Sequence, residues 1–202
     1  MLPSGKHVRS IYLGEDGIIK NANEDLLLID SSTIDVETSR EVEKIARESN
    51  LRMLDAPVSG GVTGAESGTL TFMVGGDSSA FNDAKEILNI MGGNVIHAGQ
   101  AGNGQVAKIA NNMLLAISMI GTSEAFKLAE NLGLDPSTFF DIASTASGQC
   151  WSMTSYCPVP GPVPTSPANN GYKPGFSAAL MLKDLRLSQE ASSFSKSRTP
   201  LG

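Results

Sequence analysis

Over its first hundred residues the chain alternates short apolar runs with charged, helix-prone stretches, and this alternation narrows the fold more than any other feature. Residues 24–30 (EDLLLID) form an apolar run closed by a polar cluster, the pattern of a buried parallel strand. Ser31, Ser32 and Thr33 then offer capping side chains. Residues 36–50 are helix-prone, with Val42, Ile45 and Ala46 on one face. Residues 51–56, 69–76 and 94–98 read as three further strands, separated by a glycine-rich turn at 59–68 and by helical spacing over 79–91. Four such alternations argue an open α/β sheet with right-handed crossovers.

From residue 101 the pattern changes. Residues 104–132 contain no proline and predict one long helix, and Asp135-Pro136 starts a shorter one with Asp135 as its cap. Residues 158–174 (PVPGPVPTSPANNGYKP) are too rich in proline for either element and read as an ordered loop or tether. A last helix is expected over 176–195. Two domains follow, an α/β domain over 1–100 and an all-α domain over 101–202, with the long helix as hinge.

Composition removes several functional classes. At 41% hydrophobic and 18% charged, the chain can bury a core. Its net charge is −6 and no basic stripe is visible, so no nucleic-acid partner is expected. The longest nearly apolar run, residues 113–121, is too short for a bilayer, so no membrane is expected either. Cys150 and Cys157 match neither a CxxC redox pair nor a zinc knuckle, so no metal is expected and two free thiols in a reducing compartment are. The first residues show neither an apolar signal core nor an Arg-rich amphipathic helix.

Gly102-Asn103-Gly104-Gln105-Val106-Ala107 follows a strand and matches a permissive dinucleotide fingerprint. That fingerprint also needs a second strand carrying an acid about 20 residues on. Glu124 has the spacing but lies inside the long helix, so the glycines read as a close-packed helix entry. Lys108 is followed by Ile109, which leaves no hydroxyl for the magnesium of a nucleotide hydrolase.

Four segments could carry chemistry. Lys108 and Asn112 lie four apart on one helix face among Val106, Ile109, Met113 and Leu115. A lysine there is either snorkelling at a core rim or desolvated for proton exchange with an alcohol. Asp55-Ala56-Pro57-Val58-Ser59-Gly60-Gly61 is a strand end opening into a glycine turn, either an ordinary tight turn or a cradle of amides and hydroxyl for a carboxylate. Asp30-Ser31-Ser32-Thr33 is either a helix cap or a ligand loop at a strand end. Lys183-Asp184-Leu185 lies on the last helix.

Taken in order, IDSSTID, DAPVSGG, LTFMVGG, GNGQVAKIANNMLL and the late KDL resemble the β-hydroxyacid dehydrogenase family over essentially the whole chain. Residues 114–122 (LLAISMIGT) and 149–160, with Cys150-Trp151, push the match toward one member. The resemblance implies NAD-dependent oxidation of a small hydroxyacid by a Rossmann-like nucleotide domain and a helical domain that also makes a homo-oligomer, in the mitochondrial matrix. It implies Lys108 as catalytic lysine, Asn112 as its substrate-positioning partner, and Ser59, Gly60 and Gly61 as the substrate carboxylate site. It also implies cofactor contacts from Leu2, Pro3, Thr33 and Lys183. Where close relatives carry an asparagine four residues after that proline, this chain has His7, which is left out of the site.

The family's glycine fingerprint falls about ninety residues before the Leu2-Pro3 loop, so the resemblance implies a partial nucleotide domain without its first βαβ half, and a C-terminus short of further helices. The expectation is NAD-dependent oxidation of such a hydroxyacid by the family's mechanism, with this chain an incomplete form that lacks the pyrophosphate turn; the alternative is a non-catalytic fragment that pairs with complete subunits. A further alternative is a dehydrogenase for another hydroxyacid such as tartronate semialdehyde. Phosphogluconate would call for basic residues near the turn, and Val62-Thr63-Gly64-Ala65 supplies none.

Overall fold

The computed structural model describes residues 1–173 and 175–202; Pro174, where the expected proline-rich loop ends, lies outside the described residues. In chain order the elements are α1 (Gly5–Leu13), α2 (Ile18–Asn21), β1 (Leu27–Asp30), α3 (Val36–Glu48), β2 (Arg52–Asp55), β3 (Val58–Ser59) and α4 (Gly61–Glu66). They continue as β4 (Leu70–Gly76), α5 (Ser78–Met91), β5 (Gly92–Gly99), α6 (Asn103–Asn131), α7 (Pro136–Ala143), α8 (Trp151–Thr154) and α9 (Ala178–Ser195). By its contacts the chain forms two compact units, one of Met1–Asn111 with Arg186–Arg198, the other of Asn112–Leu185 with Thr199–Gly202.

The first unit is built on a five-stranded sheet. β1 runs parallel to β2 and β4 parallel to β5, with α3 and α5 as the connections. The sheet is not an uninterrupted series of parallel crossovers, because β2 and β3 both pair antiparallel with β4. Leu54 faces Gly76, Val58 faces Phe72, and the Met73 N–H donates to the Pro57 carbonyl at 3.0 Å between them. β2 and β3 are therefore one strand in constant register, interrupted at Ala56-Pro57. The segment from Ser59 to Leu70 holds only the six-residue α4, too short for the crossover that a parallel return needs.

Side chains alternate across this sheet. Leu28 and Met53 face one core with Val8, Tyr12, Ile34, Val42 and Ala46 from α1, the loop before α3, and α3. Leu54, Phe72 and Val74 face the other with Ala80, Phe81, Ala84 and Leu88 from α5. Helices thus cover both faces. α1 was not expected: its apolar side chains are few, but Val8 and Tyr12 one turn apart are both buried. Its first residue, Gly5, packs so closely that a Cβ would meet the Asp35 carboxylate and the Thr38 hydroxyl. The cap of α3 is Asp35, which accepts the Thr38 N–H at 2.7 Å, so residues 31–34 form a loop and not the expected cap.

The second unit gathers Phe126, Ala143, Met153, Cys157 and Val163 into its own core, with Phe126 and Phe139 edge to face at 4.9 Å. Asp135 caps α7 as expected. The described part of the proline-rich segment is ordered. The Ser166 hydroxyl donates to the Cys157 carbonyl at 2.6 Å, and Asn169 donates to the Val163 carbonyl and accepts the Gly161 N–H. Both cysteines are free thiols. Among the described residues no helix is long and apolar enough to cross a membrane, and no group of His, Cys, Asp and Glu could hold a metal ion.

Candidate active site

At the carboxyl end of β1, the buried Asp30 accepts both the N–H and the hydroxyl of Ser32, at 3.0 and 2.5 Å. The Ser32 Oγ in turn accepts the Leu2 N–H at 2.7 Å. This chain of bonds ties the Leu2-Pro3 segment to the loop that carries Thr33, at the end of β1. Burial, assisted by the Asp30 charge, pushes the Tyr12 phenol up to about 12. The exposed His7 shares a hydrogen bond between its Nδ1 and the Ser4 hydroxyl at the start of α1.

The glycines on either side of the start of α6, Gly102 and Gly104, serve close packing, as expected. Asp55, at the end of β2, accepts the Gly102 N–H through Oδ1 at 2.7 Å and the Gln105 N–H through Oδ2 at 3.0 Å. A Cβ on Gly104 would collide with the Met73 carbonyl oxygen and lie 2.7 Å from the Asp55 carboxylate, so only glycine lets the helix end approach the strand. Burial pushes the Asp55 carboxyl up to about 6, against the lowering effect of these amides.

From this anchored first turn the Gln105 side chain, fully buried, reaches back to the β1 loop. Its Oε1 accepts the Ile34 N–H at 3.1 Å and its Nε2 donates to the Ser32 carbonyl at 2.8 Å, the two residues flanking Thr33. One turn further along α6 comes Lys108, only 8% exposed. Gln105 thereby holds the Thr33 loop against the helix that carries Lys108.

Ser59 closes β3 opposite Thr71, and the chain turns through Gly60 at φ 137° and Gly61 at φ 61° into α4. Both are backbone conformations that a side chain would strain. Within the second unit, Asn112 is buried and donates from Nδ2 to Asp184 Oδ2 at 2.5 Å, while Asp184 Oδ1 lies 3.1 Å from the Lys183 ammonium. Asp184 thus joins two residues that the sequence singled out separately.

Sequence reasoning passed over the roles of Gln105, Asp55 and Asp184. Asp55 and Asp184 stand inside the motifs that drew attention, but nothing local says that their carboxylates are buried. Gln105 had one available signal: a polar side chain three residues before Lys108, on the same helical face.

Residues 102–202 match a family model described as the NAD-binding domain of NADP-dependent 3-hydroxyisobutyrate dehydrogenase, and residues 1–99 match the NAD-binding domain of 6-phosphogluconate dehydrogenase. A probable 3-hydroxyisobutyrate dehydrogenase of Mycobacterium tuberculosis is 52% identical over all of this chain and 68% of its own length. The mitochondrial 3-hydroxyisobutyrate dehydrogenase of Rattus norvegicus is 49% identical over all of this chain and 60% of its own. A solved structure of the Mycobacterium tuberculosis 3-hydroxyisobutyrate dehydrogenase with L-serine superposes with a TM-score of 0.94 at 52% identity, covering all of this chain and 68% of that one.

Proposed function

The chain belongs to the 3-hydroxyisobutyrate dehydrogenase family, and on that footing we propose that the protein oxidises 3-hydroxyisobutyrate to methylmalonate semialdehyde, with NAD rather than NADP as cofactor. The observation that carries this reading is the buried Lys108, one helical turn beyond the Gln105 side chain that grips the loop on both sides of Thr33.

The described residues fit the nicotinamide half of such a cofactor. Leu2, Pro3 and Thr33 lie in main chain fixed by Asp30, Ser32 and Gln105 at the carboxyl end of a strand in a parallel pair. No G-x-G-x-x-G occurs among these 202 residues, so none of them is assigned to the pyrophosphate. When bound, the nicotinamide supplies the acceptor for the hydride leaving the alcohol carbon.

Lys108 is the general base: its amine takes the proton of the substrate hydroxyl as the carbon–oxygen bond becomes a carbonyl. Asn112, one turn on along α6, positions the substrate. Ser59, with the amides of Gly60 and Gly61, holds the substrate carboxylate and sets which carbon is presented. Lys183 is assigned to the cofactor. The helical unit makes a homo-oligomer, which sedimentation of the protein tests. We place the protein in the mitochondrial matrix; the name of the rat relative supports this, and fractionation of the source cell tests it.

The test of the function is direct. Oxidation of 3-hydroxyisobutyrate by this protein is followed by nicotinamide absorbance, with NAD and then NADP varied and with tartronate semialdehyde reduction as the competing reaction. A higher kcat/KM for 3-hydroxyisobutyrate with NAD supports the reading; preference for the other pair overturns it.

A further inference from the structure

We propose that Gln105 is a positioning residue of the reaction, fixing the spacing between the Thr33 loop and Lys108. This rests on the function proposed above. Four hydrogen-bonding facts carry it. The Gln105 N–H is held by Asp55 at 3.0 Å, which fixes the residue at the strand end. Its carboxamide oxygen takes the Ile34 N–H and its carboxamide nitrogen feeds the Ser32 carbonyl. Ser32 itself is tied to Asp30 and to the Leu2 N–H. The side chain is wholly buried, so no water competes for these bonds.

A primary carboxamide can donate to one backbone carbonyl and accept from the next backbone amide but one, without carrying charge at any pH. Ser32 and Ile34 are buried while Thr33 between them is partly accessible, so the grip constrains the backbone of the residue assigned to the cofactor side. Three residues on, the same helix turn presents Lys108. A shift of about 1 Å in such a spacing costs about 100-fold in rate without removing a ligand contact.

Gln105→Glu and Gln105→Met separate this from a structural role. The methionine variant keeps the volume and loses both bonds. The glutamate variant, when ionised, still accepts from Ile34 but sets a carboxylate against the Ser32 carbonyl; when protonated it restores the donor. We expect Gln105→Met to lower kcat about 10- to 100-fold with the hydroxyacid KM within about threefold of wild type. Because Lys108 as base and the Asp55 carboxyl that holds the Gln105 N–H titrate in both proteins, the comparison is relative: the ratio of Gln105→Glu to wild-type kcat should rise as the pH falls. Hydrogen exchange at the Ile34 amide should accelerate in Gln105→Met while the β1 and β2 amides stay protected. A kcat unchanged in Gln105→Met overturns the proposal while wild-type turnover stands. If the wild type does not oxidise 3-hydroxyisobutyrate, the functional reading has failed separately, and unchanged Ile34 exchange still overturns the grip.

Discussion

Asn112 donates from its side-chain amide to the Asp184 carboxylate at 2.5 Å, a contact between residues 72 apart in sequence. Both are buried, and the second carboxylate oxygen faces the Lys183 ammonium, so a single acid orders the carboxamide assigned to the substrate and the lysine assigned to the cofactor. Hydrogen bonds to a charged group contribute about 1.5–3 kcal/mol, more than neutral ones. Asp184→Ala is therefore expected to lower stability by about 2 kcal/mol, a loss of several degrees in Tm for a chain of this length. Thermal unfolding followed by circular dichroism checks it, and a Tm within about one degree of wild type contradicts it.

Asp55 gives a pH signature. Its carboxyl is raised by burial from an ordinary 3.8 to about 6, so the folded chain holds that proton more tightly than the unfolded one. The corresponding stability is fully present below about pH 4 and is lost as pH rises through about 6, by at most about 3 kcal/mol. Asp55→Asn abolishes the titration and also turns an amide donor toward the Gly102 or Gln105 N–H. The difference in unfolding free energy between wild type and variant should shrink from pH 4 to pH 7. A difference independent of pH contradicts the account.

Two glycines of α6 should respond oppositely to the same change. At Gly104 an added Cβ meets the Met73 carbonyl and the Asp55 carboxylate, both rigid, so Gly104→Ala should cost about 3 kcal/mol. At Gly121 nothing lies within 4 Å, so Gly121→Ala should gain up to about 1 kcal/mol from helix propensity. Urea unfolding of the two variants decides the matter, and equal effects contradict it.

The carboxylate turn is best tested at Ser59. Gly60 sits at φ 137°, and a Cβ there would lie only 3.0 Å from the Leu70 side chain, so a branched residue strains the fold whatever binds beside it. Ser59→Ala leaves the backbone free of that strain and removes one hydroxyl donor. It should raise the hydroxyacid KM about 10-fold, the loss of a hydrogen bond to a charged group, with the NAD KM scarcely moved. Equal loss for both ligands means that the turn is structural.

Much of this was legible because it is local. Residues 104–132 lack a helix breaker, and Asp135-Pro136 is a helix start, so α6 and α7 could be read directly. Four of the five strand positions could be read too, but β3, two residues beside the glycine turn, and the direction of β4 could not. That direction depends on Ala56-Pro57 leaving β2 and β3 in one register, and on α4 being too short to carry the chain back. α1 escaped because two buried side chains, Val8 and Tyr12, are too weak a periodic signal over nine residues. Motif residues stood out by spacing, whereas Gln105 matters through Ser32 and Ile34, more than seventy residues away, a distance over which sequence pattern is silent.

Whether Lys108 is the base is decided by the kcat of Lys108→Ala for 3-hydroxyisobutyrate, measured beside its NAD affinity. Loss of a positioned general base lowers kcat by about 10²- to 10⁴-fold. Lys108→Ala should fall in that range with NAD binding retained. A variant that keeps more than about a tenth of wild-type kcat contradicts it, because no proton-transfer group of that weight would then have been removed.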